Sequence, residues 1–131
     1  MSSELTVKKG DLARTLTNAQ PAEVLKPLIT EIHLFDTFIA GTSFLEDRAP
    51  LEDLKEGAQV TLRREDDNKF DENAILVLDP AGRKLGYVPE KDNLIFSRLM
   101  DAGKRLVGKI QTIEKKGNFT QVAMGIYLVD F

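Results

Sequence analysis

At 131 residues, with 42% hydrophobic and 30% charged side chains, the chain is long and apolar enough to bury one core, and disorder is not its expected state. The lack of cysteine excludes a disulfide framework and thiolate chemistry, and the single histidine, His33, leaves little for a zinc site. A net charge of −3 excludes a molecule drawn as a whole onto nucleic acid or anionic lipid, so any polyanion must meet a local patch.

Residues 1–28 read as an N-terminal helical arm. Leu12, Leu16 and Ala19 fall on one helical face behind a cap at Asp11, and Pro21 suits the first turn of a second short helix ended by Pro27. The polar start MSSELTVKKG lacks the apolar core of a secretory signal, and no stretch reaches the roughly 20 apolar residues of a membrane span. A cytoplasmic protein with no membrane partner is therefore expected.

From Ile29 to Phe131 the pattern becomes a series of extended segments: ITEIHLFDTFIAGTSF, QVTLRRE, AILVLD, KLGYVP, RLVGKIQTI and FTQVAMGIYLVDF. Turn signals such as AGT, KEGA, DPAGR and KKGN separate them. About six strands at this spacing predict a mainly β domain over 29–131, a barrel or a sandwich. One helix interrupts the series over Glu90–Ala102, with Pro89 before it and Gly103 as its stop. Arg98 falls on the apolar face of that helix, where it is expected to snorkel or to make a buried pair. The last segment is apolar on both phases, with Val122, Met124, Ile126 and Leu128 on one, which predicts a strand that is central or doubly covered.

The stretch EDDNKFDENAILVL, Glu65 to Leu78, sets five acidic residues, two asparagines and a phenylalanine before an apolar strand. One reading is a polar turn between QVTLRRE and AILVLD, with Asp66, Asp67 and Asn68 reversing the chain and Asp71 and Asn73 folding onto nearby backbone amides. A calcium loop fails on spacing, because Phe70 occupies the third ligand position and no glycine follows. Paired catalytic carboxylates lack an accompanying cluster of His, Lys or Ser, so a non-enzymatic protein without cofactor or metal is expected. Phe35, Phe38 and Phe44 suit either the core or base stacking, and His33 reads as a solvent-facing strand residue. The cations Arg63 and Arg64, Arg83 and Lys84, Lys104 and Arg105, and Lys109, Lys115 and Lys116 form four clusters. They are either a mixed-sign surface or, where two converge beside Asp71, a groove for two or three phosphates.

The run LKEGAQVTLRREDDNKFDENAILVLDPAGRKLGYVPEKDNLIFSRLMDAG resembles the HIRAN domain, a small β-barrel module found alone in bacteria and attached to helicase-like DNA-repair proteins in eukaryotes. The likeness rests on the LKEG turn at Leu54–Gly57, the N-x-F-D-x-N-A-I core within Glu65–Ile75, GYVP at Gly86–Pro89 and the helix ending at Gly103, and it extends over residues 32–131. It implies an OB-like barrel with one internal helix that holds the 3′ end of single-stranded DNA. On that resemblance Asp71 accepts a hydrogen bond from the terminal 3′-hydroxyl, while Phe70 and Asn68 shape the pocket and Asn73 fixes the turn. Ser43, Phe44 and Leu45 stand where DNA-binding members carry an arginine and two tyrosines, so Phe44 is the retained aromatic. Tyr87 follows the glycine of GYVP and completes the pocket, and Lys91 lies beside Glu90, which replaces a lysine of those members. Apart from the resemblance, Arg64 of the first basic cluster is expected to supply phosphate contact, and a DNA-repair protein is expected as a further partner.

A carboxylate suits a terminal hydroxyl because it accepts a charge-assisted hydrogen bond worth about 1.5–3 kcal/mol, whereas an internal phosphodiester only repels it. Stacking on an aromatic adds about 1–3 kcal/mol per base. One of each gives about 6 kcal/mol, a Kd between roughly 1 mM and 1 μM, so weak binding is expected. The alternative reading, from another class, is a protein-interaction module that binds a partner chain through the barrel groove or an exposed strand edge.

Overall fold

Alternation with a period of two builds most of the sheet. In β2 (Gln59–Arg64), Val60 and Leu62 are buried while Gln59, Thr61 and Arg63 face solvent. The short β3 (Ile75–Leu78) is buried at every position, as expected of a strand paired on both edges and covered on both faces. In the computed structural model, which describes residues 30–130, these strands join β1 (Thr30–Phe38), β4 (Lys84–Tyr87), β5 (Arg105–Lys116) and β6 (Phe119–Asp130) in one sheet. The order is β1-β6-β5-β2-β3-β4, and the β2–β3, β2–β5, β3–β4 and β5–β6 pairs are antiparallel. The arm read over 1–28 lies outside the described residues.

The sheet curls into the OB-like barrel and its two end strands meet just past β1. Ala40 and Tyr87 exchange both backbone hydrogen bonds, at 2.8 and 2.9 Å. A glycine makes this approach possible: a Cβ on Gly86 would stand 2.3 Å from the Ala40 carbonyl oxygen and 2.7 Å from Ile39 Cγ2. The core inside the curl includes Val60, Ile75, Val77, Leu85, Met124 and Ile126. Strand β6 lies between β1 and β5, so its expected central place is correct; Val122, Met124 and Ile126 face inward.

The structure departs from the expectations at four points. The first extended segment ends as a strand at Phe38, and Thr42–Phe44 forms a 3-10 turn entered through Gly41 at φ 80°. A short helix, α1 (Ala49–Asp53), was not expected; five residues are too few to show a period, although Pro50 in its first turn suits a helix start. The internal helix begins as a 3-10 turn, Glu90–Asp92, and continues as α2 (Asn93–Asp101). Arg98 is exposed on it and makes no ion pair among the described residues, so of the two expectations the buried pair is not formed. The inward residues of α2 are Asn93, Phe96 and Ser97, with Phe96 packed in the core and against Phe35 of β1. Among the described residues, no helix is long and apolar enough to cross a membrane, and no group of three or more His, Cys, Asp or Glu is placed to hold a metal ion.

Candidate binding site

The acidic stretch forms the long loop between β2 and β3. Asn68 organises its centre: its Oδ1 accepts hydrogen bonds from the amides of Phe70 and Asp71 at 2.8 and 2.9 Å, and its Nδ2 donates to Glu65 Oε1 at 2.7 Å. Asp71 then closes a tight turn by accepting the Asn73 amide on Oδ1 at 2.9 Å. Its other oxygen, Oδ2, accepts from Asn93 Nδ2 of α2 at 2.7 Å. Each carboxylate oxygen thus makes one of the two hydrogen bonds it can accept, which leaves Asp71 oriented and still able to receive a donor. The turn reading of this stretch and the pocket reading are therefore compatible, because the same carboxylate serves both.

Asn68, Phe70 and Asp71 line a cleft of about 330 Å³ together with Gly41, Tyr87 and Glu90. Phe70 holds its ring 96% exposed, an unusual place for a large apolar side chain. Tyr87 donates its hydroxyl to Glu65 Oε1 at 2.7 Å, so it presents its ring rather than a free donor. Burial and that hydrogen bond push the Tyr87 hydroxyl pKa above its ordinary value. The bonds from Asn68 and Tyr87 hold the Glu65 carboxyl below the usual carboxylate range. With Asp71, Glu65 and Glu90 around it, the cleft favours a hydrogen-bond donor on a neutral group and repels an anion.

The remaining expected residues take different places. Phe44 is 87% exposed but lies in a neighbouring cleft of about 340 Å³, lined also by Leu45, Pro50, Arg83 and Lys84. Lys84 links the two clefts, since its Nζ sits 4.6 Å from the centre of the Tyr87 ring. Lys91 is exposed on the 3-10 turn, one residue past Glu90, and does not line the Asp71 cleft. Arg64 is committed to the protein: it donates to both Asp101 carboxylate oxygens, to the Ala74 carbonyl oxygen at 2.6 Å and to that of Glu72 at 2.9 Å. It clamps the loop carrying Asp71 to the end of α2. Sequence reasoning missed Glu65 and Asn93 as partners of the site: the Glu65–Asn68 bond is local, but Glu65 meets Tyr87 and Asn93 meets Asp71 across 22 residues each, which no local pattern marks.

A small OB-like barrel with an oriented carboxylate and an exposed aromatic in one cleft is an architecture suited to binding. The HIRAN domain family model matches residues 32–129, and the chain belongs to that family. It is similar to a Lactobacillus plantarum protein of known crystal structure: 28% identity, 79% of this chain and 99% of that one covered, TM-score 0.73. It is also similar in fold to the HIRAN domain of human HLTF, with 16% identity, a TM-score of 0.62, and 76% and 79% of the two chains covered. No curated protein matches the chain.

Proposed function

We propose that this HIRAN domain is a non-enzymatic module that binds the 3′-hydroxyl end of single-stranded DNA, in the handling of exposed ends during repair. The observation that carries the reading is Asp71, a carboxylate held by Asn73 and Asn93 with acceptor capacity left, in a cleft beside the exposed Phe70 ring. Asp71 accepts the terminal hydroxyl, Phe70 stacks on the last base, and Tyr87 forms the opposite wall through its ring. Asn68 shapes the loop. Phe44 and Lys84 in the adjoining cleft meet the next nucleotide, and Lys91 adds charge at the rim. Arg64 contributes by fastening the loop.

The test is fluorescence anisotropy at low salt with a short 5′-labelled strand ending in a 3′-hydroxyl or a 3′-phosphate, using the wild type and Asp71→Asn. The expected result is tighter binding of the hydroxyl end, with the preference lost in the variant. Equal binding of both ends by the wild type overturns the reading. A second reading rests on β1, the sheet's terminal strand, which exposes Ile32, Phe35 and Phe38 by 39–50% and whose outer edge is paired, among the described residues, only just beyond it at Ala40. A partner chain adding a strand there is the protein-interaction alternative.

A further inference from the structure

Two of the basic clusters, far apart in sequence, meet in the fold. Strand β2 pairs with β5 in the register Gln59↔Lys109, Val60↔Gly108 and Thr61↔Val107, and continuing that register sets Arg63 opposite Arg105. Lys104 precedes Arg105, just past the left-handed Gly103 that ends α2. These residues line a shallow cleft of about 390 Å³ with Arg64 and Met100. Like charges facing each other across a strand pair are destabilising unless something anionic lies between them. Here no carboxylate does so: among the described residues Arg63, Lys104 and Arg105 make no ion pair, and the nearby Asp101 is taken by Arg64. Three uncommitted cations are concentrated on a chain in which acids outnumber bases, 21 to 18.

We propose that this cleft binds backbone phosphates of a nucleic-acid strand, upstream of the end held at Asp71; the inference rests on the end-binding reading above. Arg64 is the connection. Its guanidinium lines the basic cleft and also holds the Glu72 and Ala74 carbonyls of the Asp71 loop, so the acidic and basic sites flank one anchored segment. The two sites divide the work by charge. The acidic cleft takes the uncharged hydroxyl end of the strand, and the basic cleft takes the phosphates that the acidic cleft repels.

The test compares the wild type, the triple variant Arg63→Gln, Lys104→Gln, Arg105→Gln, and a control with Lys115→Gln and Lys116→Gln on the β5–β6 hairpin. Each is titrated by anisotropy with 3-nucleotide and 12-nucleotide single strands, carrying either a 3′-hydroxyl or a 3′-phosphate, across a salt series. Thermal melts verify that each variant is folded; these side chains are exposed. The expected result is a loss of about tenfold on the 12-mer in the triple variant, with a salt slope shallower by roughly 2, at about 0.7 per single-strand phosphate. Binding of the 3-mer and the preference for a hydroxyl end stay unchanged. Wild-type behaviour of the triple variant on the 12-mer overturns the proposal, as does an equal loss in the hairpin control, which would mean a net-charge effect. If the wild type shows no end preference but the triple variant still loses the 12-mer and its salt slope, the basic cleft stands and the end-binding reading falls. Absence of wild-type binding to every strand overturns both.

Discussion

Asn93 donates its side-chain amide to Asp71 Oδ2 at 2.7 Å from a position in α2 that is only 2% exposed. A buried donor aimed at a half-buried carboxylate sets the direction of the remaining acceptor lone pairs, which makes Asn93 a positioning residue for the Asp71 cleft under the proposed end-binding reading. Its replacement separates orientation from packing. Asn93→Asp sets two carboxylates against each other, and such a pair shares a proton in acid. The preference for a 3′-hydroxyl over a 3′-deoxy end is expected to fall about tenfold at neutral pH, the scale of one charged hydrogen bond. It returns as the pH is lowered and the introduced carboxyl becomes a donor. Asn93→Leu loses the preference at every pH. Anisotropy across a pH series checks both.

The two exposed phenylalanines make a prediction of the opposite kind, large in binding and small in stability. Phe70 and Phe44 bury almost nothing, so Phe70→Ala and Phe44→Ala should each change folding stability by less than about 0.5 kcal/mol. Loss of a stacked base costs about 1–3 kcal/mol, or roughly fivefold and more in affinity. Phe70→Ala should show it with the shortest strands, while Phe44→Ala should show it only when a second nucleotide reaches the adjoining cleft. Urea melts and anisotropy on the same preparations measure the two effects.

Glu65 ties the loop to the barrel by accepting from Asn68 and Tyr87, and these bonds depress its pKa below the ordinary 4.5. A group with a lower pKa in the folded state stabilises the fold above its unfolded value, and that contribution is lost as the pH falls through the folded value. Stability should therefore decline as the pH drops below about 4.5. Glu65→Gln should remove its share of that decline. Urea midpoints measured between about pH 3 and pH 6 test the sign.

Gly86 admits the backbone of Ala40 where the barrel closes, and even a methyl group would collide with a carbonyl oxygen. Gly86→Ala should cost roughly 1–3 kcal/mol or more, because backbone rather than a flexible side-chain tip must yield. The adjacent Tyr87 would move with it, so the variant should also bind DNA ends more weakly. Chemical denaturation and anisotropy report the two effects. Gly82→Ala makes a useful contrast, since a Cβ there meets nothing and only its left-handed φ of 86° is strained.

Much of the scaffold was legible because its signals are local. The extended segments QVTLRRE and AILVLD, set off by their turn signals, marked β2 and β3, and Pro89 and Gly103 bracketed the helix. The loop from Glu65 to Asn73 could also be recognised, since asparagine and aspartate bond to amides two or three residues on, as Asn68 and Asp71 do. Arg98 shows the limit of periodicity. It shares a helical face with apolar residues by spacing alone, yet that stretch of α2 turns it to solvent. Helix α1 escaped for the opposite reason, being shorter than the pattern that would reveal it.

The sequence by itself determined a cysteine-free, β-rich chain with one acidic loop, an aromatic beside a central aspartate, and scattered basic pairs, because composition, alternation and turn chemistry act over a few neighbouring residues. Only the tertiary structure decided what those residues do. Arg64 became a clamp because Asp101 lies 37 residues along the chain but within 2.9 Å in space. Asp71 gained its orientation from Asn93, Tyr87 lost its free hydroxyl to Glu65, and Arg63 met Lys104 and Arg105 through the pairing of β2 with β5. A hydrogen bond or a shared cleft depends on distances that chain folding sets, and no local pattern encodes the partner that arrives from another strand.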